Sequence, residues 1–179
     1  LVPGVKHGKV THHLIRDTWL TANHRCRVHL YHPPVPEPCP LLFVLDGSDY
    51  LKRAHLGEIV NNLIAQKRIR PLALALVDNG GPARMVEYMC SEATLGLLLT
   101  QVLPLAQAEL NLLPPASGTW GIMGASMGGL MALYAGLRYP GIFRQVISQS
   151  GAFNFDKHEA YPIELVRANP PHPLPPWAL

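Results

Sequence analysis

Two stretches of the chain, Leu41 to Leu45 and Leu72 to Val77, are apolar at every position. Continuity of this kind predicts strands covered on both faces, as in a parallel sheet. The start of the chain reads differently. His24 to Tyr31 alternates, with His24, Cys26, Val28 and Leu30 on one face and Arg25, Arg27, His29 and Tyr31 on the other, while Lys9 to Leu14 alternates weakly. These two segments are expected to form an antiparallel opening pair with its turn near Thr21-Ala22-Asn23. Pro33 to Pro40 then ends the second strand, because proline cannot donate to a ladder. Leu56, Ile59, Val60, Leu63 and Ile64 recur at helical spacing and predict one helix from about Tyr50 to Gln66. A longer helix is expected from Ser91, its N-cap, to Leu110, with Leu95, Leu98, Leu99, Val102 and Leu103 inward and a kink at Pro104. Thr119 to Met123 and Phe143 to Ser148 read as two further strands. Between them Leu130, Leu133, Tyr134 and Leu137 mark a helix that stops at Tyr139-Pro140. The order is β-α-β-α-β-α-β behind an antiparallel start, which implies an α/β fold: a mostly parallel central sheet with helices on both faces.

Composition narrows the picture without changing it. A chain of 179 residues, 48% hydrophobic and 15% charged, suits a single globular domain over 1–179, and no longer repeat recurs along it. The net charge of +3 is spread out, and the densest basic stretch, Lys67-Arg68-Ile69-Arg70, reads as a solvated helix end, so no nucleic-acid partner is expected. Cys26, Cys39 and Cys90 are odd in number and lack C-x-x-C spacing, which speaks against a disulfide framework or a zinc site and for reduced thiols in a cytoplasm. Residues 7 to 32 hold six histidines, but His24 and His29 fall on opposite faces of their strand with no suitably spaced carboxylate or thiol. They are expected to be surface residues. No apolar run approaches ~20 residues and Leu1 to Val10 has no signal-peptide core, so neither membrane association nor export is expected.

The candidate chemistry centres on Gly124-Ala125-Ser126-Met127-Gly128, a G-x-S-x-G pattern where a strand gives way to a helix. Such a turn must reverse within a few residues, which holds the serine in a strained backbone conformation, while the flanking glycines keep side chains out of the crowd. The helix begins at the serine, so free N–H groups and the positive end of its dipole face an oxyanion forming beside the hydroxyl. Ser126 therefore reads as a nucleophile. Two other loops leave carboxyl ends of strands, where open α/β sheets build their sites. Asp46-Gly47-Ser48-Asp49 is either a simple strand-ending turn or the source of a second oxyanion N–H, and in the loop from Asp78 to Tyr88, Arg84 and Glu87 are either an ion pair or solvated charges.

Taken together, Leu41-Leu42-Phe43-Val44-Leu45-Asp46-Gly47, Arg84-x-x-Glu87-Tyr88, Gly124-Ala125-Ser126-Met127-Gly128-Gly129 and Ser148-Gln149-Ser150-Gly151 resemble the Putative esterase family of α/β hydrolases, which includes enterochelin esterases, esterase D and feruloyl esterases. The likeness runs from about Val10 to Phe153 and is nearest the enterochelin esterase type. It implies an α/β-hydrolase fold and hydrolysis of a small-molecule carboxylic ester through an acyl-enzyme on Ser126, with no metal or other cofactor. It also implies site roles: Met127 as one oxyanion N–H, Gly47 or Ser48 as the other, and Asp46, Arg84, Glu87 and Gln149 as residues that order the pocket and its loops.

The chain departs from that family where the triad should be completed. In this fold the acid and then the histidine follow the nucleophile in chain order, beyond the strand after the nucleophile helix. Both positions are expected to lie past Leu179, so that the C-terminal part of the domain is missing. Within the chain the substitute base would be His158, although Asp156 is only two residues away, a poor spacing for an acid that must bind the far ring nitrogen. Glu159, Glu164 and His172 complete the candidates. Two other functions stay open: a catalytically inactive binding module that keeps the elbow, and an acyltransferase that uses the same nucleophile.

Overall fold

β1 (Lys9–Arg16) and β2 (Arg25–His32) pair antiparallel, with Val10 opposite Tyr31 and His13 opposite Val28. The computed structural model describes residues 4–16, 25–155, 158–159 and 161–168; the turn expected at Thr21 to Asn23 lies outside them. Cys26, Val28 and Leu30 are buried as the alternation requires, but His29 and Tyr31 are buried as well. The polar face of β2 is covered because two helices lie across it, and the Tyr31 hydroxyl donates to Asn61 Oδ1 at 2.7 Å on the second of them.

The apolar runs form the centre of the sheet. β3 (Leu41–Leu45), β4 (Ala73–Val77), β5 (Gly121–Ala125) and β6 (Gln145–Gln149) run parallel to one another, and β2 joins them antiparallel along β4, giving the order β1-β2-β4-β3-β5-β6. Successive residues serve opposite faces of this sheet. Phe43, Leu45, Ala75, Val77 and Ile122 pack with Leu95, Leu98, Val102 and Met131 on one side, whereas Val44, Leu74, Leu76 and Met123 pack with Val60 on the other. Helices thus cover both faces, as in an α/β-hydrolase sheet.

The helices differ from expectation in two places. The helix expected over Tyr50 to Gln66 is two, α1 (Gly47–Lys52) and α2 (Leu56–Ala65), separated at His55, whose φ of 52° is left-handed and cannot continue a right-handed helix. Ile59 accordingly turns outward at 45% exposure. The Asp78 to Tyr88 loop holds a 3₁₀ turn (Gly81–Ala83) and then α3 (Arg84–Tyr88). Ser91 caps α4 (Glu92–Leu97), its hydroxyl accepting the Thr94 N–H at 3.2 Å. The kink expected at Pro104 takes the form of a π-type turn, Leu98–Val102, before α5 (Leu103–Glu109). Widening the turn relieves the clash between the proline ring and the carbonyl four residues earlier. α6 (Met127–Arg138) links β5 to β6; beyond it come the short pair β7 (Asn154–Phe155) and β8 (His158–Glu159) and then α7 (Tyr161–Ala168). Among the described residues no single helix is long and apolar enough to cross a membrane.

Candidate active site

From β3 the chain crosses to β4 on one side, then returns past β3 to β5 on the other. The carboxyl ends of β3 and β5 therefore flank the point where strand order reverses, the place where open α/β sheets leave a crevice. Ser126 stands at the end of β5 and Asp46-Gly47 at the end of β3.

Ser126 has φ 54° and ψ −119°, a backbone conformation that costs free energy for any side-chain-bearing residue. Three backbone bonds hold it there. Its N–H donates to Gln149 O at 2.9 Å, and its carbonyl accepts from Leu130 N at 3.0 Å and Ala152 N at 3.0 Å. The turn is so tight that a Cβ on Gly124 would lie 2.4 Å from Gly128 O, which is why the pattern requires glycine there. The Ser126 side chain is exposed, and Met127 N–H, the first of α6, lies outside the helical ladder.

The neighbouring turn is equally constrained. Asp46 is left-handed (φ 59°, ψ 46°), and a Cβ on Gly47 would stand 2.6 Å from the Leu76 carbonyl carbon. The donors of the first turn of α1 can be followed one by one. Asp49 N and Tyr50 N both donate to Asp46 O, at 3.0 and 3.1 Å. Ser48 N donates to Asp78 Oδ1 at 2.6 Å. Ser48, expected as one of two alternative oxyanion donors, therefore has its N–H engaged by a carboxylate, and Gly47 N–H is left without an acceptor among the described residues.

Arg84 ties the two turns together. Its Nε donates to Asp46 Oδ1 and its Nη2 to Asp46 Oδ2, both at 2.7 Å, and Nη2 reaches Ala125 O, the residue before Ser126, at 3.3 Å. Asn79 Nδ2 adds a donor to Asp46 Oδ1 at 2.6 Å. The guanidinium lies over the Tyr88 ring, 5.1 Å from its centroid, and the Tyr88 hydroxyl accepts the Asp46 N–H at 3.0 Å. Hydrogen bonds to the Asp46 carboxylate push the Arg84 pKa up, and burial, followed by the Asp46 charge, pushes the Tyr88 phenol well above its ordinary value. Arg84 is thus in an ion pair, but with Asp46. Glu87 is buried and its Oε2 accepts Gly80 N–H at 2.7 Å, closing the loop on itself. Gln149 contributes its backbone carbonyl to Ser126, and its side-chain oxygen accepts a hydrogen bond from the Tyr50 hydroxyl.

Sequence reasoning passed over Tyr50, Asn79, Asp78 and His29. Asp78-Asn79 at the end of β4 carried a signal, since polar residues at strand carboxyl ends face the crevice. His29 was expected at the surface but is 5% exposed, with Nε2 3.1 Å from Ser48 Oγ and Nδ1 2.6 Å from His12 Nδ1. Among the described residues the polar contacts of the histidine rings go to Thr11, His12, His29, Ser48, Glu58, Asn61 and Asp78, and none goes to Ser126. Glu164 is exposed beside Arg167. β8 contains His158, but the His158 and Glu159 side chains, Asp156 and His172 fall outside the described residues.

Burial alone would raise the Asp78 carboxyl, but hydrogen bonds from His29 and Ser48 outweigh it and hold the pKa below the ordinary value. A depressed folded-state pKa contributes stability that is present above the unfolded value and lost as pH falls through the folded one. The stability gap between wild type and Asp78→Asn, followed by urea midpoints, is therefore expected to shrink once pH drops below about 4. A gap that stays constant down to about pH 2 contradicts the assignment.

Comparison with known proteins identifies the family and the fold. The family model described as "Putative esterase" matches residues 21–178. The iron(III) enterobactin esterase of Escherichia coli is 31% identical over 118 residues, 65% of this chain and 29% of that protein. The chain thus spans under a third of the length of this curated relative. The solved ferric enterobactin esterase of Salmonella typhimurium superposes with a TM-score of 0.73 at 27% identity, covering 81% of this chain and 37% of that one. The enterobactin esterase of Shigella flexneri, with enterobactin present, reaches a TM-score of 0.81 over 89% of this chain and 42% of its own, a likeness of fold at 24% identity.

Proposed function

Since the chain belongs to the Putative esterase family, we propose that it is the nucleophile-bearing part of a serine esterase that cleaves carboxylic esters through an acyl-enzyme on Ser126. The observation that carries this reading is the backbone of Ser126, held at φ 54° and ψ −119° by three hydrogen bonds with its side chain exposed beside the Asp46-Gly47 turn. Residues held by their surroundings in sparsely populated backbone conformations cluster at active sites.

In this reading Ser126 Oγ attacks the ester carbonyl carbon as a histidine takes its proton. The oxygen that becomes negative is met by Met127 N–H and Gly47 N–H; the alcohol leaves with the proton, and water then releases the acid. Gly47 is assigned in preference to Ser48 because Asp78 already holds the Ser48 N–H. Arg84 and Asp46 set the distance between the two donors by linking the turn to Ala125. The names of the enterobactin esterase relatives support a siderophore-type ester as the substrate. No metal enters this route.

The test is turnover of activated aryl esters and of a catecholate siderophore ester by protein carrying this chain. Ser126→Ala is expected to lower the rate by roughly 10⁴-fold or more with the fold intact by circular dichroism. Hydrolysis that survives the substitution would falsify the nucleophile assignment.

A further inference from the structure

We propose that Asp78 and His29, which the ester-cleaving mechanism does not use, are positioning residues for the oxyanion-binding turn: they clamp Ser48 and thereby aim the preceding Gly47 N–H. The inference rests on the esterase reading of Ser126 and extends it to two residues on β2 and beside β4.

Asp78 grips Ser48 twice, accepting its N–H on Oδ1 at 2.6 Å and its hydroxyl on Oδ2 at 2.8 Å. The first turn of any helix has donors without intrahelical partners, and a carboxylate at that end is doubly favourable, satisfying a donor and facing the positive end of the dipole. Here the carboxylate comes from the residue that follows β4, so the start of α1 is fixed relative to the sheet and not only to its own segment.

His29 completes the clamp. Because the Ser48 hydroxyl donates to Asp78, its oxygen accepts, so the His29 Nε2 lying 3.1 Å from it carries the proton. The same Nε2 is 3.4 Å from Asp78 Oδ1. The other ring nitrogen shares a proton with His12 Nδ1 across 2.6 Å, the two rings meeting edge to face at 4.8 Å. Both nitrogens of a buried imidazole are thus engaged and the ring cannot rotate.

The arrangement has the membership of a second nucleophilic triad but the wrong connections. In a working triad the acid binds the ring nitrogen remote from the serine. Here Asp78 and Ser48 address the same nitrogen and the serine already donates to the acid, so Ser48 cannot give up its proton to His29. What the cluster does is immobilise. With Ser48, Asp49 and Tyr50 N–H groups all committed, the free donor of the turn is Gly47, and its direction follows from where Ser48 is held.

The test uses full-length protein carrying this chain and two readouts. Backbone relaxation reports the order of the Gly47 amide, and a fluorophosphonate reports the Ser126 phosphonylation rate at saturation and the half-saturating concentration separately. Asp78→Ala is expected to lower the Gly47 order parameter from about 0.85 to about 0.6. It should also slow saturated phosphonylation roughly 10- to 100-fold, a part of the ~10²- to 10³-fold attached to losing a whole oxyanion donor, with the half-saturating concentration within about threefold. Asp78→Asn, which keeps an acceptor for the Ser48 N–H, should recover most of both, and His29→Ala should fall between them. A Gly47 amide that stays rigid in Asp78→Ala overturns the clamp. A Gly47 amide that loosens while the saturated rate is unchanged overturns its catalytic role. Wild-type protein that takes no label at Ser126 removes the esterase reading itself, and the Gly47 amide distinguishes that result from failure of the clamp.

Discussion

Gly124→Ala is expected to destabilise the chain by about 4 kcal/mol or more, lowering its melting temperature by roughly 8 to 16 °C. The added Cβ would lie 2.4 Å from Gly128 O and 2.5 Å from Gly128 C, so it meets backbone and not a side chain that can swing away. Relief requires the start of α6 to back off, and that start is held by the bonds from Leu130 and Ala152 to Ser126 O. The cost should therefore exceed that of ordinary core overpacking, about 1 to 3 kcal/mol. Gly96 is the internal control. It sits in α4 with nothing within 4 Å of its missing Cβ, and Gly96→Ala should stabilise by about 0.5 to 1 kcal/mol through helix propensity alone. Urea unfolding of the two variants checks both, and a Gly124→Ala protein as stable as wild type removes the steric account of the elbow.

Arg84→Ala should cost about 3 kcal/mol, or roughly 6 to 12 °C, because it leaves a carboxylate stranded. The Asp46 side chain is 8% exposed and the Arg84 side chain 28%, which places the pair near the lower end of the range for buried ion pairs that lose one member. Asn79 Nδ2 still donates to Asp46 Oδ1 and limits the damage. Arg84→Lys keeps the charge but cannot reach both carboxylate oxygens in one plane, so it should recover only part of the loss. Asp46→Asn combined with Arg84→Ala should cost less than the sum of the two, with a coupling of about 1 to 3 kcal/mol in a thermal or urea cycle. Strict additivity would show that the pair contributes nothing through contact.

The layers of the fold were legible in the sequence where burial leaves an unbroken record. Leu41 to Leu45 became β3 residue for residue, and the parallel pairing of β3 with β4 matches their two continuous apolar runs separated by helices. The Gly124 to Gly128 turn was legible for a different reason: tight backbone approach admits only glycine and so is written as residue identity. Partner choice left no such record. Arg84 lies three residues from Glu87 in the chain yet pairs with Asp46, thirty-eight positions away, because the sheet brings the ends of β3 and β5 together at its loop. His29 looked like an outward residue on an alternating strand; coverage of that face by α1 and α2 depends on tertiary packing that the period of two does not encode. The break between α1 and α2 was hidden similarly, since a histidine only weakly favours the left-handed φ of 52° that His55 adopts and continues a helix as readily.

The central claim is that Ser126 is an activated nucleophile and not a serine in a glycine-rich turn. Its most direct measurement is the mass of full-length protein carrying this chain after exposure to a fluorophosphonate, with the adduct placed by peptide sequencing. One adduct per chain on Ser126, absent from Ser126→Ala and blocked by prior incubation with an ester substrate, is the predicted result. Full-length protein that stays unlabelled while folded, or whose adduct lies on Ser48, Ser148 or another hydroxyl and persists in Ser126→Ala, contradicts it.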